Sequence, residues 1–185
     1  MKLVPLGIPG AFLVEIEPAS DERGFFARTF CAREFAAAGL ESRFLQTSLS
    51  FNPRRGTLRG LHFQAEPHGE AKLVRCVRGR IHDLLVDLRP ESHLLRQHLA
   101  IVLSDASRNA VYIPPGVAHG FLTLTDDCEV HYSMSEFFTP EAARGVRWND
   151  PAFGIALPEP VQVISERDAG YPDFLSPLPP RNPLR

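Results

Sequence analysis

The chain has 185 residues, 44% of them hydrophobic and 23% charged, and its formal net charge at pH 7 is -2. This length suits one domain, or one domain with a tail, and the composition is that of an ordinary globular protein rather than a disordered or fibrous one. The near-balanced charge provides no overall basic excess, so we expect no nucleic-acid partner.

Short runs of β-forming residues separated by turn chemistry dominate the chain. In its first half, strands are predicted at 11–17, 25–30, 43–51, 57–63 and 71–77. One helical stretch, CAREFAAAG over 31–39, is rich in Ala and stops at Gly39, a position typical of a helix C-terminus. The dipeptide RG at 78–79 is typical of a tight hairpin turn, and further strands are predicted at 80–88, 98–103, 110–114, 120–125 and 129–138.

This order of elements predicts an all-β fold. About ten closely spaced strands with one short N-terminal helix favour a jelly-roll β-sandwich or barrel. From Pro151 onward prolines accumulate, which predicts extended chain on the surface and a Pro-rich tail at about 171–185. Within this region, ISERDAG (164–170) could form one helical turn. Without an internal repeat or a low-complexity linker, we expect a single domain over residues 1–185.

The cysteines and the N-terminus bear on the cellular compartment. Cys31, Cys76 and Cys128 are far apart and odd in number, which supports neither a zinc cage nor a disulfide framework. The N-terminus has early prolines and no sustained apolar stretch, so we expect no signal peptide and no membrane span. A reducing cytoplasm is the expected location.

Several ionisable side chains lie inside otherwise apolar strands. They are Arg59, His62, Lys72, Asp83, Asp87, His119 and Tyr132. Burying a charge costs several kcal/mol unless the charge is paired or used, so one such residue could be accidental but several together suggest a polar cavity. The interior or mouth of a β-barrel is a common ligand site.

Each of these residues also has an ordinary structural explanation. His62 could be a hydrogen-bonded core histidine, and Lys72 could extend its head to solvent from a strand end. Asp83 and Asp87 are better interpreted as partners of arginines or turn amides than as catalysts. Tyr132 could be a core aromatic whose hydroxyl finds a backbone acceptor. Their joint occurrence favours a functional cavity.

A metal site is the alternative use of the histidines. PPGVAH (114–119) has the spacing of the second half of a cupin metal motif, and His62, His68 and His119 could form a three-ligand site. The first half of that motif requires an H-x-H pair, but Gln64 stands where the second His belongs. We therefore favour a metal-free site without a cofactor.

Five motifs in chain order resemble those of the dTDP-4-dehydrorhamnose 3,5-epimerase family. They are RGFFARTF (23–30), TLRGLHFQ (57–64), AKLVRCVRGRIHDLLVDLRPES (71–92), YIPPGVAHGF (112–121) and VRWNDPAFGIALP (146–158). The resemblance covers nearly the whole domain, from about residue 11 to 170. It implies a metal-free cupin-type jelly roll, usually a homodimer that exchanges N-terminal segments.

That family inverts carbons 3 and 5 of a nucleotide-linked 4-keto-6-deoxy-hexose in the synthesis of activated L-rhamnose. The resemblance implies that His62 is the base and that Asp168 orients its ring. It places Lys72 beside the C4 oxygen and makes Tyr132 the opposite-face acid. The substrate-binding residues that it implies are Arg23, Arg28, Gln46, Ser48, Arg59, His119, Phe138 and Arg167.

The chain departs from the family pattern at residues expected to read the base. Arg28 replaces a Glu, Ser48 replaces an Asn, Phe138 replaces a Tyr, and Ala143 replaces a Glu. A cytidine- or guanosine-linked sugar therefore stays open beside thymidine, as does inversion at C3 or C5 only. A metal-dependent cupin and a non-catalytic nucleotide-sugar binder are the remaining alternatives.

Overall fold

The structure is a computed structural model, and it describes residues 1–174. Its first elements are β1 (Lys2–Pro5), β2 (Phe12–Glu15), β3 (Ala19–Asp21), β4 (Gly24–Phe26), α1 (Ala32–Ala37), β5 (Gln46–Asn52) and β6 (Leu58–Gln64). They are followed by β7 (Lys72–Arg78), β8 (Arg80–Asp87), β9 (His98–Ser104), β10 (Ala110–Ile113), β11 (Val117–Thr123), β12 (Cys128–Met134), β13 (Ala143–Gly145) and α2 (Glu166–Ala169). The predicted all-β class is confirmed.

Two antiparallel sheets form a sandwich. One has the strand order β1-β2-β10-β7-β12-β5, the other has the order β13-β6-β11-β8-β9, and β3 and β4 form a separate hairpin. The main core lies between the two sheets, where Val74 and Val111 of the first sheet join one buried cluster with Leu85 and Phe121 of the second. This arrangement is the jelly-roll sandwich that the spacing of the strands predicts.

The predicted hairpin at residues 78–79 is wrong. Strand β7 pairs with β10 and β12, whereas β8 pairs with β9 and β11, so the chain leaves one sheet and enters the other at this turn. Gly79 has φ +81° there, and a Cβ on it would lie 2.5 Å from the hydroxyl of Thr125. Turn residues report a local change of direction and carry no information about which strand becomes the partner.

Both predicted helical segments are confirmed. Helix α1 ends as expected, because Gly39 has φ +72° and its amide donates to the carbonyl of Ala36. Its Phe35 is fully buried in an aromatic cluster with Phe30 and Phe44. Helix α2 is the single turn predicted in ISERDAG. Strands β1, β3 and β13 were not predicted, since each is short and lies in a segment rich in turn residues.

The chain from residue 151 to 174 forms no strand and covers the outer face of the five-stranded sheet. Phe153 and Phe174 pack there against a buried cluster that includes Leu61 and Leu84. The expected extended course holds only in part, because a turn at residues 151–153 and helix α2 interrupt it; one parallel bridge joins Val163 to Thr57, just before β6. Residues 175–185 of the predicted Pro-rich tail lie outside the described residues.

Strand β6 contains one extra residue where it pairs with β11. His62 pairs with His119 and Arg59 pairs with Phe121, so three steps along β6 oppose two steps along β11. In a regular strand, residues three apart point to opposite faces. The bulge places Arg59 and His62 on the same side, and both line one cavity.

Gly60 makes this bulge possible. Its φ is +111°, and a Cβ on it would lie 2.5 Å from the Cα of Gly120 and 2.7 Å from the carbonyl oxygen of His119. Both the backbone conformation and the close approach of the two strands therefore require glycine.

Gly60→Ala should lower the free energy of unfolding by about 2 kcal/mol or more, because the added methyl group meets backbone atoms at a positive φ. Urea unfolding of the purified variant measures this. Gly7→Ala is the matched control, since a Cβ at Gly7 meets nothing within 4 Å. Equal effects of the two substitutions would contradict the requirement for glycine at position 60.

Candidate active site

A His–Asp pair lies at the centre of the site. Nε2 of His62, on β6, is 2.7 Å from Oδ1 of Asp168, on α2. The second carboxylate oxygen accepts a hydrogen bond from the Gly60 amide at 3.0 Å, which the bulge frees from the strand ladder. Ser165 caps α2 by accepting from the amide of Asp168, so the carboxylate is fixed from both sides.

The charge of Asp168 determines which nitrogen of His62 carries the lone pair. Burial disfavours the ionised carboxylate, but hydrogen bonds from His62 and the Gly60 amide outweigh burial and hold the pKa of Asp168 below its usual value. An ionised carboxylate only accepts hydrogen bonds, so Nε2 of His62 donates, and in the neutral form of the ring Nδ1 holds the lone pair. The imidazole is 42% exposed and the carboxylate 6%, so the ring faces the cavity while its partner is shielded.

A second His–Asp pair lies deeper in the sandwich. Nε2 of His119 is 2.8 Å from Oδ2 of Asp83, and both residues are buried. Burial raises the pKa of Asp83, and its Oδ1 has no hydrogen-bond partner within residues 1–174. The ring of His119 also packs edge-on against Tyr132, with centroids 6.0 Å apart.

Tyr132 approaches the cavity from the sheet opposite His62. It lies on β12 of the six-stranded sheet, whereas His62 lies on β6 of the five-stranded sheet. Burial, reinforced by the charge of Asp83, raises the pKa of the Tyr132 phenol above its usual range. In the described part of the chain the hydroxyl makes no hydrogen bond, which leaves its proton available to a ligand.

Lys72 and Arg59 bring positive charge to the cavity in different ways. The ammonium of Lys72 is 2.8 Å from the carboxylate of Glu70 and 3.3 Å from the backbone oxygen of His62. Arg59 has no carboxylate partner among residues 1–174. Its Nε donates instead to the buried amide oxygen of Asn52 at 2.6 Å, which holds the guanidinium without neutralising it.

Two adjoining cavities share His62, Lys72 and Tyr132 as a common wall. The first, of about 260 Å³, is lined by Ser50, Arg59, His62, Lys72, His119, Gly120, Phe121, Tyr132 and Asp168. The second, of about 230 Å³, also has Gln46, Ser48, Gln64, Phe138, Arg144 and Arg167 in its lining. Neither alone reaches the volume of about 300 Å³ usual for a small-molecule site, whereas the two together do.

Hydrogen bonds fix the loop at the mouth of the second cavity. Gln46 accepts from the amide of Phe138 at 2.6 Å, and Gln64 accepts from the amide of Thr139 at 2.6 Å. The ring of Phe138 remains 61% exposed, so it is available to stack on a planar ligand. Gln64 stands where a metal ligand would be needed, but its side chain is buried and hydrogen-bonded to this loop.

The predicted residues Arg23 and Arg28 lie outside both cavities. Arg23 pairs with Asp21 in the β3–β4 hairpin, and Arg28 pairs with Glu34 of α1 at 3.1 Å. All other predicted site residues line one of the cavities. Within a single chain, then, the structure does not bring these two arginines to the rest of the site.

The alternative metal site finds no geometric support. Within residues 1–174, no group of three His, Cys, Asp or Glu side chains is arranged to hold a metal ion, and His62, His68 and His119 do not form such a cluster. Asp87, as expected, is bound by Arg89 and by Ser92. No helix in the described range is long and apolar enough to cross a membrane.

Sequence reasoning missed three residues that shape the site. Glu70 and Asn52 lie in predicted turns or at their edges, where a polar residue is unremarkable, so no local pattern distinguishes them. The hydroxyl of Tyr171 accepts a hydrogen bond from the Nε of Arg167 at 2.9 Å, and its ring lies against Gly145 and edge-on to His62. It belongs to the Pro-rich segment, for which no contact could be predicted.

Taken together, these groups suit proton transfer at a carbon next to a polar group. The site holds an imidazole oriented by a carboxylate, a phenol on the opposite sheet that stays protonated, and an ammonium that lines the same cavity. Beside them, the guanidinium of Arg59 has no carboxylate partner and is suited to an anionic part of a ligand.

Comparisons with known proteins identify close similarities over most of the chain. The family profile described as dTDP-4-dehydrorhamnose 3,5-epimerase matches residues 5–176. The enzyme of that name from Methanothermobacter thermautotrophicus is 44% identical over 174 residues, covering 92% of each chain. A dTDP-4-dehydrorhamnose 3-epimerase from Streptomyces niveus is 38% identical over 91% of this chain and 81% of its own.

Solved structures show the same similarity. The dTDP-4-dehydrorhamnose 3,5-epimerase from Bacillus anthracis, with TDP and PPi bound, superposes with a TM-score of 0.90 at 32% identity, covering 94% of this chain and 99% of its own. A 3′-monoepimerase from Streptomyces bikiniensis, in complex with dTDP-quinovose, gives a TM-score of 0.84 at 35% identity, covering 91% and 86%. This similarity also agrees with the cupin-like fold.

Asp168→Asn should lower the free energy of unfolding at pH 7 by about 1 to 3 kcal/mol, because one buried charge-assisted hydrogen bond is lost. The pKa of this carboxyl is lowered in the folded protein, so its stabilisation is present above the ordinary value of 3.8 and is lost as the pH falls below it. The difference between variant and wild type should therefore shrink toward pH 3, as measured by urea unfolding across this range.

Asp173→Asn is the control for this experiment. Asp173 is a nearby acid that is 64% exposed, and its loss should change stability by no more than about 0.5 kcal/mol at either pH. A deficit of Asp168→Asn that stays constant from pH 7 to pH 3 would contradict the assigned charge.

Proposed function

This chain belongs to the dTDP-4-dehydrorhamnose 3,5-epimerase family and is a carbohydrate epimerase, and we propose that it acts on a dTDP-linked 4-keto-6-deoxy-hexose. The proposed reaction inverts the carbons on either side of the C4 ketone, in the synthesis of activated L-rhamnose or a related deoxysugar. The observation that carries this proposal is the convergence of the His62–Asp168 pair, Lys72 and Tyr132 on one cavity.

His62 acts as the base in this proposal. A hydrogen on a carbon next to a ketone is acidic enough to be removed if the resulting enolate is stabilised. Nδ1 of His62 takes the proton, the C–H bond breaks, and its electron pair moves into the enolate. Asp168 then stabilises the imidazolium through the 2.7 Å contact at Nε2.

Lys72 stabilises the negative charge that develops on the C4 oxygen. Its ammonium is only slightly exposed, and an electrostatic interaction is stronger in such a shielded place than in water. The carboxylate of Glu70 and the carbonyl of His62 fix the position of the ammonium before the substrate binds. No reorganisation is then needed at the moment when the charge develops.

Tyr132 returns a proton from the other face. Its phenol is on the sheet opposite His62, and a raised pKa keeps it protonated at neutral pH. When the phenol gives its proton to the carbanion, a new C–H bond forms with inverted configuration. His62 and Tyr132 regain their starting protonation states by exchange with solvent, so the cycle needs no cofactor.

Positive side chains without carboxylate partners support a diphosphate-linked substrate. Arg59 in the first cavity and Arg144 and Arg167 in the second form no ion pair with residues 1–174. Guanidinium groups bind phosphate oxygens in bidentate fashion. We place the sugar in the first cavity, the diphosphate between the arginines of the two cavities, and the nucleoside in the second cavity, beside Gln46 and the exposed ring of Phe138.

A homodimer would complete the site. Every residue of β3 and β4 is exposed, and Phe26 in this hairpin is 80% exposed, which is unusual for a large apolar side chain. We propose that the hairpin reaches the cavity of a second copy and delivers Arg23 and Arg28 there. We also retain the cytoplasm as the proposed location, to which the three free cysteines are suited.

Inversion of a single carbon is the second candidate. The similarity to a 3-epimerase at 38% identity favours it, because the same catalytic groups serve one proton transfer or two. The nucleotide is also open to test, since Arg28 offers donors where the family pattern has an acceptor. Cytidine- and guanosine-linked 4-ketosugars are the competing substrates.

In deuterium oxide with a chelator present, the protein should incorporate deuterium at carbons beside the ketone of dTDP-4-keto-6-deoxyglucose. NMR distinguishes uptake at C3, at C5 or at both. His62→Ala should slow the exchange by about 100-fold or more, since it removes a positioned base.

CDP- and GDP-linked 4-ketosugars, tested in parallel, should exchange more slowly than the dTDP-linked compound. Faster exchange with one of them would reassign the nucleotide. No exchange with any of the three sugars would contradict the proposed function, and wild-type exchange by His62→Ala would contradict the assignment of the base.

Mixed dimers test the proposed role of the hairpin. His62→Asn and Arg23→Ala chains, co-expressed so that they pair at random, should recover about a quarter of wild-type activity, because half of the dimers then hold one intact site. The assay uses a substrate concentration at which each variant alone is nearly inactive. Activity no greater than the sum of the separate variants would show that Arg23 serves its own chain.

A further inference from the structure

Glu70 pairs with a lysine ammonium, whereas the other carboxylates of the site, Asp168 and Asp83, pair with imidazoles. Its Oε1 lies 2.8 Å from Nζ of Lys72, and each side chain is only 10% exposed. Glu70 lines the second cavity, and Lys72 lines both. The pair therefore faces the space where the substrate is proposed to bind.

The backbone around Glu70 is firmly held. The amide of Ala71 donates to the hydroxyl of Ser135 at 2.8 Å, and the amide of Ser135 donates back to the carbonyl of Ala71 at 3.0 Å. On the other side, the side-chain amide of Gln64 donates to the carbonyl of His68 at 3.1 Å. A carboxylate on such a fixed segment can hold a flexible lysine in one position.

The other carboxylates of the site are already engaged. Asp168 binds His62 and the Gly60 amide, and Asp83 binds His119. A shielded ammonium without a counter-charge is costly, and it tends to lose its proton. Glu70 is thus the group within residues 1–174 that offsets the charge of Lys72.

We propose that Glu70 is a positioning residue that keeps the Lys72 ammonium charged and directed at the substrate ketone. This inference rests on the proposed function, because it assigns Lys72 to the enolate oxygen. As that oxygen becomes negative, the ammonium shares its protons between the carboxylate and the enolate. No covalent bond to Glu70 forms or breaks.

Several other titratable or charged groups face the same space and contribute to any pH profile. They are His62, Arg59 and Asp168 on the β6 and α2 side, Tyr132 on β12, His119 on β11, and Arg144 and Arg167 at the second cavity. A matched control variant is therefore needed to distinguish the effect of Glu70 on the pH profile from the effects of these groups. Glu66 provides it, because it is an exposed glutamate of the same loop without an ion-pair contact to Lys72.

Glu70→Gln tests the proposal in the deuterium-exchange assay with saturating substrate across pH 6 to 10. The exchange rate should fall about 10-fold or more, because the ammonium is no longer held in place. The basic limb of the profile should move to lower pH by about one unit or more, because the nearby negative charge is gone. Glu66→Gln should keep the wild-type rate and profile.

Glu70→Asp separates the effect of the carboxylate charge from the effect of the side-chain length. Its carboxylate keeps the charge but is one methylene shorter, so the rate should fall while the basic limb stays at its wild-type pH. If Glu70→Gln does not fold, as judged by thermal unfolding, this variant still decides the question. A folded Glu70→Asp protein with the wild-type rate would overturn the proposal.

A double-substitution cycle completes the test. In a Lys72→Met background, Glu70→Gln should reduce exchange no further, since Glu70 acts only through the lysine. A further loss of the same size as in the wild-type background, or an unshifted basic limb in Glu70→Gln, would overturn the role of Glu70. These results would leave the proposed function intact, because that fails only if wild type and Glu66→Gln show no exchange.

Discussion

The site depends on one extra residue in β6. A strand without the bulge at Gly60 would send Arg59 and His62 to opposite faces, and one of them would lie under the segment that covers the outside of the sheet. The bulge turns both toward the cavity, and it also removes the Gly60 amide from the strand ladder. That amide then holds Asp168. A single departure from regular pairing thus sets the positions of the imidazole, of its carboxylate and of the adjoining guanidinium.

Asp168 shows how the end of the chain completes a site that begins in its middle. The segment after residue 151 packs Phe153 and Phe174 against the outer face of the five-stranded sheet, and this packing brings α2 next to β6. Gly145, opposite His62 on β13, leaves room for the ring of Tyr171, whose hydroxyl contacts Arg167. Apolar packing far from the chemistry therefore sets the distance between the imidazole and its carboxylate.

The sequence predicts local features of this fold better than it predicts which strands and side chains meet in space. The strands and the end of α1 at Gly39 follow from short-range patterns, and the proposed catalytic set follows from motif resemblance. The turn at Gly79 does not join a hairpin as predicted, because turn residues do not determine which strands pair. Strand periodicity alone would have separated Arg59 from His62, since a bulge appears only when the opposing strand is known. Glu70 lies in a polar loop, where nothing local indicates that it pairs with Lys72 in the cavity.

The cations of the site differ in whether a carboxylate of the protein is paired with them, and this difference matches their proposed roles. Lys72 pairs with a carboxylate that holds it in one place, which suits its proposed role of meeting a charge that forms only during the reaction. Arg59 donates to the amide oxygen of Asn52, and Arg167 donates to the hydroxyl of Tyr171, so neither is paired with a carboxylate of residues 1–174 and both suit a ligand that arrives already negative. A diphosphate carries that charge before any proton moves. In the proposed reaction, an enolate acquires its charge only after His62 has removed a proton.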